Sequence, residues 1–169
     1  MLILFASLAF AGQVDPLAPA RDGLVQCYDP VPARKLCRAI GAYAFGADGS
    51  IVNTGTNRIQ DELPVILISK NPVEVRDGKV CSIGPLTEDD IDRVEVAGRP
   101  LAGAALAQAR AQIVAAFPPA MRTGSLCSAY TTNPDGSLTT TVDIGGVAHP
   151  DVTSTLLWVE PGEGWTVTP

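Results

Sequence analysis

The chain has 169 residues and a formal net charge of −6, from 12 Lys and Arg against 18 Asp and Glu. That balance, with no basic cluster, excludes a nucleic-acid partner, because a phosphate backbone demands a basic face. A hydrophobic content of 46% fits a single domain able to bury its own core. Much of that content is Ala, and Arg outnumbers Lys, a composition that reads as a GC-rich bacterial gene.

Residues 2–11 are apolar apart from Ser7, and Ala9, Phe10 and Ala11 have the small-x-small form of a signal-peptidase site. The run is too short to span a bilayer as a helix. Residues 1–11 are therefore expected to be a signal peptide, residues 12–23 a flexible arm rich in Pro, Gly and Ala, and residues 24–169 one globular domain. Periplasmic or secreted localisation follows, with no stable membrane insertion of the mature chain.

Four cysteines, Cys27, Cys37, Cys81 and Cys127, fit an oxidising compartment and read as two disulfides. Cys27–Cys37 is the favoured pair, because a short loop around Pro30 and Pro32 closes easily; that leaves Cys81–Cys127. No C-x-x-C or C-x-x-H occurs, so neither a zinc site nor a redox dithiol is expected, and no metal or cofactor is assigned.

In chain order, residues 24–27 and 38–45 read as strands. Asp48-Gly49 turns the second back into residues 50–54, with Phe45 facing Ile51 and Tyr43 facing Asn53. Residues 63–69 (LPVILIS) form the most apolar interior run, the mark of a strand covered on both faces. Asp77-Gly78 is a two-residue hairpin loop that sets Val75 opposite Val80. Residues 87–93 read as a short helix, capped by Thr87 with Asp90 completing a capping box. Glu88, Asp89 and Asp90 suit the positive end of its dipole, and with Asp92 they lack the alternation of a calcium loop.

Residues 101–117 read as the one long helix, with Leu106, Ala109, Ile113 and Phe117 in a stripe and Pro118-Pro119 stopping it. The clearest stretch is residues 125–145, a hairpin around Asn133-Pro134-Asp135-Gly136. Its register sets Thr132 opposite Leu138, Tyr130 opposite Thr140, Ser128 opposite Val142 and Leu126 opposite Ile144. Leu126, Tyr130, Leu138, Val142 and Ile144 then share one face, and Cys127 points to the other. Residues 147–151 read as a loop, and residues 155–160 and 165–168 as strands. The Cys37 and Cys127 segments each lead into an Asp-Gly-Ser turn, which reads as convergent hairpin chemistry rather than duplication. The expected fold class is α+β: a mostly antiparallel sheet of short hairpins, stapled by disulfides, with one long amphipathic helix packed on it.

Catalytic residue types are scarce. His149 is the only histidine. Asp151 follows it, and Asp143 and serines at 125, 128, 137 and 154 are near in sequence, so a Ser-His-Asp arrangement needs a geometric test. No nucleophile elbow, P-loop or dinucleotide fingerprint is present. The aromatic residues Tyr28, Tyr43, Tyr130, Trp158 and Trp165 either fill the core or line a groove. The functional expectation is an exported, non-catalytic binding or protein-interaction module, inhibitor-like in one form, whose partner is a protein or a small molecule. The alternative is a small exported hydrolase using His149 with a nearby Ser and Asp.

Overall fold

The computed structural model describes residues 15–60, 62 and 64–167; the expected signal peptide lies outside them. Tight turns dictate the strand order. At the 133–136 turn the Asn133 N–H donates to the Ser137 carbonyl at 2.8 Å and the Gly136 N–H to the Asn133 carbonyl at 3.0 Å. The turn at Asp48-Gly49-Ser50 repeats this set, with the Gly46 N–H on the Ser50 carbonyl at 2.8 Å and the Gly49 N–H on the Gly46 carbonyl at 3.0 Å. In both, the serine N–H and hydroxyl donate to the aspartate. Those donors hold the Asp48 and Asp135 carboxyls below the usual carboxylate range.

The strands are β1 Val25–Tyr28, β2 Ala39–Phe45, β3 Ile51–Gln60, β4 Val65–Arg76, β5 Lys79–Ser82, β6 Ile91–Val96, β7 Arg99–Pro100, β8 Leu126–Thr132, β9 Leu138–Ile144 and β10 Val147–Val159. Every named ladder is antiparallel. The expected registers hold at Phe45–Ile51, Tyr43–Asn53, Val75–Val80 and along the whole β8–β9 hairpin.

The expected α+β sheet is overturned. β1 pairs with β10 and β3 with β4, so eight strands close into an up-and-down antiparallel barrel, with β6 and β7 as extra strands. The long helix, α2 (Gly103–Ala116), is not laid across an open sheet, because the sheet closes into a barrel. Leu106, Ala109, Ile113 and Val114 pack on Leu67 of β4 and on Ile91 and Val94 of β6, on the face of β4 that also lines the barrel. Phe117, expected on that stripe, instead terminates the helix. The local patterns were right, but an inward/outward alternation is the same in an open sheet with one covered face and in a closed barrel.

Three local expectations also change. Residues 88–90 form only a 3₁₀ turn. The Thr87–Asp90 capping box is present, but β6 begins at Ile91. Residues 147–151 belong to β10: Gly145 and Gly146, at φ of 59° and 82°, make a two-residue turn that sets Val147 opposite Ile144. Pro150 sits in the register shift between His149 and Thr153, where a missing ladder donor does no harm. Within the expected arm, α1 (Ala18–Arg21) forms one helical turn. Its Leu17 and Ala20 are buried against Val73, Val80, Tyr43, Phe45, Tyr130 and Trp158, which closes one end of the barrel.

Both disulfides form with the favoured pairing, Cys27–Cys37 and Cys81–Cys127. Cys81 and Cys127 face each other across the β5–β8 ladder. Cys27 and Cys37 join Val159, Leu157 and Trp165 in a cluster on the outside of β1 and β10. Among the described residues no helix is long and apolar enough to cross a membrane.

Candidate functional site

The registers decide which side chains enter the barrel. Gln26 lies opposite Trp158 on β10 and Gly41 on β2, and Gly41 lies opposite Gly55 on β3. Gly55 faces Ser69 on β4. One rung therefore runs Trp158, Gln26, Gly41, Gly55, Ser69 around part of the wall. Tyr28, Ala39, Asn57 and Leu67 form the next rung, and Tyr43, Asn53 and Asn71 another. Tyr130, with Thr140 and Ser154 beside it, faces inward from the other side.

These rungs surround a cavity of about 570 Å³. Small residues make the space. Neither Gly41 nor Gly55 has a left-handed backbone, so the glycines are not there for a turn. A Cβ at Gly41 would come within 3.0 Å of Gln26 Oε1, and one at Gly55 within 3.0 Å of Ser69 Oγ. Strand glycines weaken a sheet, and here they make room for the inward polar side chains of Gln26 and Ser69. Where β4 carries β6 along Val65–Ser69 and β5 along Val73–Arg76, residues 83–86, Asp90, Ile91, Phe117 and Met121 complete the wall.

Gln26 organises the polar interior. It is 0% exposed. Its Oε1 accepts from the Tyr28 and Tyr43 hydroxyls, each at 2.9 Å. Its Nε2 is buried and has no partner among the described residues, an unusual state for a native amide. Burial raises both phenols well above the ordinary tyrosine range, and the neighbouring Tyr130 reinforces this, so both stay neutral. Asn53 donates to the Ala42 carbonyl at 3.3 Å and Asn71 to Ser69 Oγ at 3.5 Å. The charged residues lining the cavity are Asp29, Arg38, Arg58 and Asp90. Asp29 and Arg38 are exposed, and Asp90 Oδ2 is engaged by Thr87.

The residues singled out for hydrolysis are not gathered. His149 is half-buried on β10 opposite Val142, and no hydrogen bond among the described residues links it to a serine, Asp143 or Asp151. Asp143 instead forms an ion pair with Lys79. Asp151 is exposed in the register shift of β10. Among the described residues no group of three or more His, Cys, Asp or Glu gathers as metal ligands would.

The aromatic residues divide by location. Tyr28, Tyr43 and Tyr130 line the cavity, Trp158 packs at the closed end, and Trp165 covers the Cys27–Cys37 bridge. Sequence reasoning missed Gln26, Gly41 and Gly55. A signal existed for the glycines, because extending the Tyr43–Asn53 register by two residues sets Gly41 against Gly55. Gln26 had none, since a glutamine beside a cysteine carries no pattern.

Together these features define a class: an eight-stranded up-and-down barrel with one end plugged and a polar, aromatic lumen. Compared with protein-family models, curated proteins and solved structures, the chain finds no match in any of the three. Its two intramolecular disulfides are consistent with an oxidising, exported compartment.

Proposed function

We propose that this protein is an exported, non-catalytic binding protein that holds a small molecule inside its barrel, in the periplasm or outside the cell. The observation that carries the reading is the cavity of about 570 Å³ lined by Tyr28, Tyr43 and Tyr130 around the buried Gln26. Small barrels filled by side chains have no such space, whereas barrels that enclose a ligand do. The volume lies in the range of small-molecule sites. The rival hydrolase reading has no hydrogen bond from His149 to a serine or aspartate among the described residues to support it.

The test is native mass spectrometry on oxidised protein recovered from its own host, beside a Ser128→Phe variant. Ser128 faces the lumen from β8, and a phenyl ring there occupies the space. A retained mass that is present in the native protein and absent from a folded variant supports the reading. Retention that Ser128→Phe leaves unchanged places the molecule outside the lumen and refutes it.

A further inference from the structure

The lumen's hydrogen-bonding groups narrow the ligand's chemistry. Resting on the binding reading above, we propose that the barrel selects an uncharged, hydroxyl-rich ring compound of the neutral-saccharide class.

The argument begins with proton direction. The hydroxyl protons of Tyr28 and Tyr43 are both committed to Gln26 Oε1. A phenol has one proton, and the Tyr130 side chain also hydrogen-bonds with both phenols, so whatever capacity each oxygen keeps for a ligand is as an acceptor. Asn53 and Asn71 likewise spend an amide N–H on protein acceptors, and their Oδ1 atoms accept from no described residue. These groups ask for ligand donors. Gln26 Nε2, buried and without a partner among the described residues, asks for an acceptor. Hydroxyl groups both donate and accept, so one polyol satisfies both demands.

Charge argues for neutrality. Among the charged lining residues, Asp29 and Arg38 are exposed, Asp90 already accepts from Thr87, and Arg58 follows the inward-facing Asn57 on β3, so strand alternation turns it away from Gln26. Around Gln26 the polar groups are amides and hydroxyls, and the phenols are held neutral. A carboxylate or ammonium seated there would lose its hydration and find no countercharge. A fatty acyl chain fails for the opposite reason, because it would give Gln26 Nε2 no acceptor and the Asn53 and Asn71 Oδ1 atoms no donor.

Shape agrees. Gly41 and Gly55, overlain by the side chains of Gln26 and Asn53 and of Ser69 and Asn57, lie on the wall that also carries Tyr43. A ring can lie with a C–H face on a tyrosine, and the amides over that wall can reach its rim. Gln26 is here a positioning residue: it sets which way two tyrosine protons point.

Isothermal titration calorimetry on the oxidised full chain tests this with cellobiose, maltose and N-acetylglucosamine as neutral probes, glucose 6-phosphate as a charged sugar, and palmitate as a lipid. The expected result is saturable binding of at least one neutral saccharide, with a Kd on the order of 1 mM or tighter. Tyr43→Phe, which keeps the ring and removes the oxygen, should weaken that binding by about tenfold. Ser128→Phe should abolish it; circular dichroism checks both folds, and Tyr43→Phe alone decides if Ser128→Phe does not fold.

Binding of palmitate or glucose 6-phosphate alone, sensitive to either variant, would overturn the saccharide class while leaving lumenal binding intact. Saccharide binding that neither folded variant alters would also overturn it, because the sugar would sit elsewhere. No binding of any probe would overturn the class, and the lumenal reading then falls only if the host-derived protein also carries no ligand that Ser128→Phe removes.

Discussion

Leu17→Ala tests whether the N-terminal turn is part of the barrel. Leu17 is wholly buried, and with Ala20 it packs among Val73, Val80 and the aromatic residues at the closed end. A free arm would lose nothing on truncation of this side chain. A plug loses the transfer free energy of the removed methylene and methyl groups, at roughly 0.8 kcal/mol each, and leaves a cavity. The α1 turn is held partly by its own bonds: Leu17 N–H donates to Asp15 Oδ1 at 2.9 Å, and Arg21 pairs with Asp15 at 2.8 Å. The site therefore cannot collapse freely, and a cost of roughly 3 kcal/mol is expected. For a chain of this size that corresponds to a Tm lower by roughly 6–12 °C. Urea denaturation followed by tryptophan fluorescence suits the measurement, because Trp158 adjoins the plug. A midpoint within about 0.5 kcal/mol of the native protein, at unchanged slope, would show that residues 15–23 do not close the barrel.

Other outcomes follow from the same structure. Replacing Cys81 and Cys127 together by Ala should cost roughly 4 kcal/mol, and the Cys27, Cys37 pair roughly 3 kcal/mol, because the first closes the longer loop; equal midpoints for all three proteins in guanidinium melts would contradict this. Stability should fall as pH rises above about 10. The unfolded chain loses its tyrosine protons there while Tyr28 and Tyr43, raised by burial, keep theirs, with a slope of about 1.4 kcal/mol per pH unit for each. Urea midpoints across that range check the sign, and a flat profile, or equal slopes for the native protein and Tyr43→Phe, would argue against buried neutral phenols. Gly124→Ala should destabilise by roughly 1–3 kcal/mol, since its Cβ would stand 2.7 Å from Gly145 Cα and would force the start of β8 away from the β9–β10 turn; a thermal melt unchanged from the native protein would disprove that close approach.

Local chemistry was legible in the chain itself. The turn at Asn133-Pro134-Asp135-Gly136 and the polar/apolar alternation beside it set the β8–β9 register residue by residue, because a one-residue slip would turn Tyr130 and Leu126 outward. The Asp77-Gly78 loop set Val75 against Val80, and the Thr87–Asp90 box capped its turn. The cysteine pairing followed from loop length. These are short-range effects, decided by backbone torsions and by neighbours a few residues away.

The tertiary structure alone decided the rest. Closure requires β1 to pair with β10, strands at opposite ends of the domain, and no local preference encodes that meeting. The α2 stripe shows that the helix has an apolar side, yet only the pairing of β4 with the extra strand β6 provides the surface that receives it. Gly41, Gly55 and Gln26 become a site only when closure turns their face into a lumen. In an open sheet the same residues would be a gap and a polar defect. Inside the barrel they are space for a guest and a fixed set of hydrogen-bonding groups to meet it.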